Sequence, residues 1–177
     1  MLLVSFGALS LWGIVSAYSK ALEISTGREL AELAKLPRRG PPKTLVEGEM
    51  LGRIEIPRLN VSSAVLEGVS ARTLRLAAGH MPRSVLPGES GNTIIAAHRD
   101  TFFRNLRGIA PGDRVLVTTP GGKRSYRVTF TSVVWPRETN LLGPTREETL
   151  TLITCYPFRW VGSAPKRFVV RAVRSDY

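Results

Sequence analysis

Cys155 is the only cysteine in the chain. It closes an apolar, β-rich run, Thr149-Leu-Thr-Leu-Ile-Thr-Cys155, just ahead of Tyr156-Pro157. A thiol placed where a strand gives way to a proline-containing loop is held by the sheet yet open to a substrate, as a nucleophile needs to be. A second strand-like run, Ile94-Ile-Ala-Ala-His98, ends in a histidine, and Arg167 opens a third, Arg167-Phe-Val-Val-Arg-Ala-Val173. A free thiol is mostly protonated at neutral pH; cationic neighbours favour the thiolate and burial opposes it. Taken singly, each residue has a plain alternative. A lone cysteine can be a small buried hydrophobe, a histidine a satisfied structural side chain, and an arginine one more solvated charge. The combination is what points to nucleophilic chemistry.

Three segments in the same order and spacing carry a resemblance. They are Gly91-Asn-Thr-Ile-Ile-Ala-Ala-His-Arg-Asp-Thr-Phe-Phe103, Thr149-Leu-Thr-Leu-Ile-Thr-Cys-Tyr-Pro-Phe158 and Val161-Gly-Ser-Ala-Pro-Lys-Arg-Phe-Val-Val-Arg171. Together they resemble the sortases, cysteine transpeptidases of bacterial surfaces. The Thr-Cys-Tyr-Pro-Phe form followed by Gly-Ser-Ala-Pro-Lys-Arg is most similar to the class D group. The likeness runs from about Gly48 to the C-terminus. It implies His98 as the catalytic histidine, Cys155 as the nucleophile and Arg167 as the arginine two residues after the proline. It also implies a short LPxTG-like sorting signal of a secreted protein as substrate, cut through a thioacyl enzyme. An amine nucleophile, from a wall precursor or a protein lysine, would then take the acyl group. With water as acceptor the same site would be a cysteine endopeptidase. A non-enzymatic basic barrel that binds envelope polyanions, with Cys155 merely buried, is the reading from outside the enzyme class.

Rivals for the assigned roles are few. Arg159, Arg171 and Arg174 compete for the arginine role, and strand alternation puts Arg171 on the face of Arg167. His80, in Ala-Gly-His-Met-Pro, reads as structural or as a minor wall of the groove. Asp100 suits a turn residue bonding its own backbone better than an orienter of His98. One cysteine and two histidines match no common zinc spacing, although a calcium site assembled from distant acidic residues is not legible in a sequence. No cofactor is called for. Pro120-Gly-Gly122 lies between two strand-like runs and predicts a hairpin turn rather than a phosphate loop.

The elements that must position these residues are short β-rich runs cut by turn residues. Arg53–Ile56 and parts of Lys123–Phe130 alternate with period two. Asn92–Ala97, Arg114–Thr118, Thr131–Trp135, Thr149–Thr154 and Phe168–Val173 complete a set of about eight strands. The pattern predicts a mainly β fold, a closed or nearly closed eight-stranded β-barrel, which also removes vulnerable edges; the resemblance implies that this barrel is sortase-like. Ser70–Ala78 and Thr101–Leu106 predict short helical connections. The aromatics Phe102, Phe103, Tyr156, Phe158 and Trp160 are expected around the site.

Three regions follow from the order of composition along the chain. Residues 1–19 carry no charge; as a helix they would reach roughly 28 Å, near the ~30 Å hydrocarbon core, and predict a transmembrane anchor. A cleaved signal peptide and a buried core helix are the alternatives. Residues 20–47 read as a short helix over Glu29–Leu36 and a linker from Pro37 to Lys43. Residues 48–177 are the catalytic domain. Lys20, Arg28, Lys35, Arg38 and Arg39 follow the apolar span, which by charge alone would put the domain in the cytoplasm. The resemblance implies the opposite, a domain outside the cytoplasm at the cell surface or in the periplasm. Net charge is +11 and the arginines are scattered. Without base-stacking aromatics on a basic sheet face, nucleic acid is not an expected partner. A membrane or envelope surface is. A single cysteine excludes an intramolecular disulfide.

Overall fold

A computed structural model describes residues 45–175. The expected anchor and nearly all of the linker lie outside these residues. No helix among the described residues is long and apolar enough to cross a membrane.

Eight strands close a barrel: β1 (Met50–Ile56), β2 (Val61–Glu67), β3 (Ala78–His80), β4 (Asn92–Ala96), β5 (Arg114–Thr119), β6 (Gly122–Val134), β7 (Thr149–Tyr156) and β8 (Lys166–Arg174). Their order around the barrel is β1-β2-β3-β4-β7-β8-β6-β5, with β5 returning to β1. Two neighbouring pairs are parallel, β2 with β3 and β4 with β7; the others are antiparallel. The first parallel pair is joined by the helix α1 (Ala71–Leu76), whose N-cap Ser70 accepts a hydrogen bond from the Thr73 amide. The second parallel pair joins strands distant in sequence and sets the histidine and cysteine segments side by side.

Eight is the expected strand number, reached with a different membership. The runs 123–130 and 131–135 are one long strand, β6, with a register shift between Val128 and Phe130 where it pairs with β8. Such a bulge bends a strand without ending it, and the break in alternation looks like a boundary in the sequence. Neither β2 nor β3 stands out in the sequence. Six of the seven β2 residues are buried, so polar Ser63 and Glu67 sit inside and the period-two signal is blurred. The region expected as one helix over 70–78 divides into α1 and the start of β3. Between β5 and β6 the chain turns through Pro120 and Gly121 as expected, and Gly122 (φ +108°) holds a conformation that side chains resist.

Alternation sorts the side chains into two apolar groups. Ile54, Ile56, Val115, Val117, Leu150, Leu152 and Val170 point into the barrel with Phe103 and Tyr126. On the outer side Ile94, Ile153 and Val169 form a second cluster, packed against Met81, Ala96, Val134, Leu141 and Leu142. β7 is therefore buried on both faces from Thr149 to Thr154. An outer strand face excluded from water means that something lies across it, here the loop after β3 and the segment between β6 and β7.

Candidate active site

Cys155 and Arg167 are direct partners across the antiparallel β7–β8 ladder. Side chains so placed start about 5 Å apart at Cβ. On the other flank of β7, Ala96 is the parallel partner of Ile153, and the Ala97 amide donates to the Ile153 carbonyl at 3.2 Å. β4 ends at Ala96, so His98 lies two residues past the strand, on the side of Cys155 toward which the β4–β7 pairing runs. Facing is settled by the neighbours. Ile153, Val169, Ala96 and Ile94 belong to the outer cluster, while Ala97, Leu152 and Val170 are inside. Alternation then carries Cys155 and Arg167 to the outer face, at one end of the outer apolar cluster. Cys155, on β7, and His98, just past β4, are both half-buried.

Several contacts fix this end of the barrel. The buried Thr154 hydroxyl donates to the Ala97 carbonyl at 2.8 Å, bolting β7 to β4 directly behind the two reactive positions. Arg167 Nη1 donates to the carbonyls of Ala164 (3.1 Å) and Lys166 (2.9 Å), so its guanidinium is braced by the chain that leads into β8. Arg99, the residue after His98, reaches across to the β7–β8 loop and donates from Nη2 to the carbonyls of Trp160 (2.9 Å) and Gly162 (3.2 Å). Tyr156, Phe158 and Phe168 pack edge-on and stacked at 5.3–6.4 Å between ring centres and root that loop on the barrel.

The aromatic expectation needs correction. Phe103 is wholly buried in the inner core and Phe102 packs against that core. Both serve the barrel, because the turn after His98 folds inward; the Phe103 amide donates to the His98 carbonyl at 3.1 Å. Tyr156, Phe158 and Trp160 do belong to the loop beside Cys155.

The rival arginines lie elsewhere. Arg171 pairs with Thr151, four residues down β7 from Cys155. Arg174 is at the far end of β8, 3.9 Å from Glu148. Arg159 is exposed in the loop. Arg171 has a different task. Its Nη2 donates to the Leu141 carbonyl, which also accepts from Asn92 Nδ2 at 3.3 Å. Asn92 donates as well to the Gly143 carbonyl (3.0 Å) and accepts from Thr151 Oγ1 (2.7 Å). This polar bed pins the helical turn Asn140–Leu142 onto the sheet and holds Leu141 and Leu142 over the outer cluster. The cost is visible: Arg171 Nε is buried with no hydrogen-bond partner, and burial pushes the guanidinium below the ordinary arginine value. Asn92, Arg99, Thr151 and Thr154 gave no signal as site residues, since their roles depend on cross-strand neighbours; adjacency to His98 was the one clue to Arg99.

His80 is buried at the end of β3. Its Nδ1 lies 2.6 Å from Glu67 Oε2, and its Nε2 lies 2.8 Å from Ser84 Oγ and 3.1 Å from the Val85 carbonyl. Ser84 in turn donates to the Met81 carbonyl (2.8 Å) and accepts from the Ile94 amide (3.2 Å). His80 thus fastens the loop after β3 to the edge of β4. Asp100 is exposed in a turn. Among the described residues no group of three or more His, Cys, Asp or Glu side chains is placed to hold a metal ion.

The barrel recurs in known proteins. The family model of the sortase domain matches residues 54–175. Sortase D of Bacillus subtilis (strain 168) is 33% identical over 159 residues, covering 89% of this chain and 79% of that protein. Among solved structures, a Clostridium perfringens sortase D5 transpeptidase superposes with a TM-score of 0.76 at 26% identity, covering 88% of this chain and 99% of that one. A Clostridium perfringens sortase C solved with the C-terminal cell wall sorting motif gives 0.70 at 26% identity, with 90% of each chain covered. This chain belongs to the sortase family of cysteine transpeptidases.

Proposed function

We propose that the protein is a class D-like sortase that cuts an LPxTG-like sorting motif at the Thr–Gly-like bond and transfers the acyl part to an amine. The observation that carries this reading is the register: Cys155 opposite Arg167 on β8, with His98 reached by extending the β4–β7 pairing, all at one end of the outer apolar cluster. Cys155 Sγ, as thiolate, attacks the carbonyl carbon of the residue before the scissile bond. The electron pair moves to the carbonyl oxygen, and Arg167 holds that oxyanion or the neighbouring substrate carbonyl. Collapse breaks the C–N bond while His98 gives its proton to the departing amine nitrogen. The acyl group remains on Sγ as a thioester. An incoming amine then attacks the same carbon, His98 takes its proton, and the C–S bond breaks to return the thiolate.

The acceptor is an amine of a wall precursor or a protein lysine. Incubation of the enzyme with a motif peptide, with and without a small primary amine, tests this. Product diverted from free acid to amide in proportion to amine supports transfer; free acid alone at every amine concentration refutes it and leaves an endopeptidase. We further propose that residues 1–19 anchor the protein with its barrel outside the cytoplasm. A C-terminal reporter that functions only after export should be active, and activity only from a cytoplasm-dependent reporter would overturn the orientation.

A further inference from the structure

The loop between β7 and β8, residues 157–165, leaves the barrel beside Cys155 and returns beside Arg167. Its tip is apolar and faces outward. Trp160 is 50% exposed and Val161 99% exposed. Apart from its chain neighbours, no atom lies within 4 Å of the place a side chain on Gly162 would take. Trp135, 46% exposed, stands at the same end of the barrel. It follows Val134, the partner of Arg167, and Lys166 Nζ sits 4.9 Å from the centre of its ring. Both tryptophans among the described residues are thus half in water at one end of the molecule, although folding usually covers most of this side chain.

The tip can leave water at little polar cost. Trp160 Nε1 donates to the Ser163 carbonyl at 3.1 Å, and Arg99 Nη2 donates to the carbonyls of Trp160 and Gly162. Three carbonyls of the tip and the indole N–H therefore have partners inside the protein, which lowers the penalty for moving backbone into an apolar medium. The same bonds hold the tip in shape beforehand.

Charge selects the medium. From Thr149 to Ser175 the cations are Arg159, Lys166, Arg167, Arg171 and Arg174, and there is no carboxylate. On the neighbouring turns Asp100 and Glu138 are exposed, but each stands next to an arginine, Arg99 and Arg137. Arg171 and Arg174 lie further down β8. The surplus around the tip is then Arg159, Lys166 and Arg167. Projecting aromatic and aliphatic side chains beside cations match a lipid surface with anionic headgroups, where tryptophan settles at headgroup level. A protein partner fits less well, because two or three projecting side chains fall far short of the ~800 Å² per partner of a stable interface.

We propose that Trp160 and Val161 dock on an anionic lipid surface, with Trp135 at headgroup level, and hold the Cys155 end of the barrel against it. This contact rests neither on the reaction nor on residues 1–19 as an anchor, and an anchor permits it. Leu45 lies beside the β5–β6 turn, at the barrel end away from Cys155. Residues 20–44 can reach at most about 90 Å. The longest strand, β6, has 13 residues and spans only about 43 Å.

The test uses the full chain reconstituted into vesicles, with a nitroxide attached through Val161→Cys in a Cys155→Ala background. Val161 is exposed, so the change disturbs no packing. The reference label is placed through Lys123→Cys, exposed at the opposite end of β6. Electron paramagnetic resonance reads the collision of each label with oxygen, which concentrates in lipid, and with a water-soluble nickel chelate. In vesicles of mixed phosphatidylglycerol and phosphatidylcholine, the label at position 161 should gain oxygen contact and lose most of its nickel contact, while the label at position 123 stays in water. Both effects should shrink severalfold in phosphatidylcholine alone and in Arg159→Glu. A label at 161 as open to nickel as the one at 123 in the anionic vesicles overturns the proposal. Equal lipid contact in both kinds of vesicle overturns the assignment to an anionic surface. Shielding from both reagents in both kinds shows that protein covers the tip, a second copy or another part of this chain, and overturns the proposal as well.

Discussion

Cys155 and Arg167 form a cross-strand pair, and that geometry makes the identity of the cation matter as well as its charge. A guanidinium braced by two carbonyls presents its remaining donors in a fixed plane, which a lysine ammonium cannot copy. Arg167→Lys should therefore lower kcat/KM by roughly a hundredfold, the scale of losing one oxyanion donor, as read by peptide turnover. His98→Ala should lose roughly 10²-fold or more, because it removes the proposed proton donor to the leaving amine; a leaving group that needs no proton should restore much of the acylation rate. Full activity in either variant would remove that residue from the mechanism. The placement of Cys155 near the end of β7, Arg167 near the start of β8 and His98 just past β4 was legible because strand ends keep their spacing in the sequence. Thr154 and Arg99 were not. A hydroxyl that bolts β7 to β4, or a guanidinium that ties a loop 61 residues away, has meaning only once the strands are side by side.

At the level of elements, the outer face of β4, β7 and β8 is covered by the loop after β3 and by the Asn140–Leu142 turn, which Arg171 and Asn92 hold down. In the proposed function this turn is a wall of the peptide site, built in advance of any substrate. Arg171→Met keeps the apolar stem and removes the anchor. It should raise the peptide KM roughly tenfold, the weight of a charged hydrogen bond, and leave kcat nearly unchanged. A catalytic role for Arg171 would instead show as a fall in kcat. On the opposite bank, His80→Ala strands the buried Glu67 carboxylate and should cost about 1–3 kcal/mol in chemical denaturation. The turnover of the folded variant should change far less than that of His98→Ala. The strands β4, β7 and β8 were readable from their apolar runs. β2 and β3 were not, since a strand buried on nearly every position, or one of three residues, leaves no alternation to read. The single strand β6 was divided in the sequence reading because its bulge interrupts the period.

For the whole molecule, closure of the barrel keeps both flanks of β7 paired, with β4 on one side and β8 on the other; in the proposed function this sets the nucleophile between His98 and Arg167. Stability of the barrel should depend on acid through Asp113. Its carboxyl is held below the ordinary aspartate value, first by the Arg58 hydrogen bonds at 2.5 and 2.6 Å and then by the Ala110 amide at 2.8 Å. A lowered folded value means that this contribution is present in full above the ordinary aspartate range and is lost as pH falls through the lower folded value. Asp113→Asn should accordingly destabilise the protein at neutral pH, and its deficit against the parent should shrink in strong acid. An unchanged deficit across that range would show that the charge is irrelevant. The strongly basic composition fits an envelope surface. It does not identify the reaction.

The most direct test of the account is intact-mass analysis of the full chain after brief incubation with an LPxTG-like peptide, in parent and Cys155→Ala forms. The account predicts a thioester adduct of the motif's acyl part on the parent, absent from the folded variant, that disappears on adding a primary amine as the amide product accumulates. Turnover of the peptide by Cys155→Ala, or a folded parent that neither forms an adduct nor turns the peptide over, would contradict it.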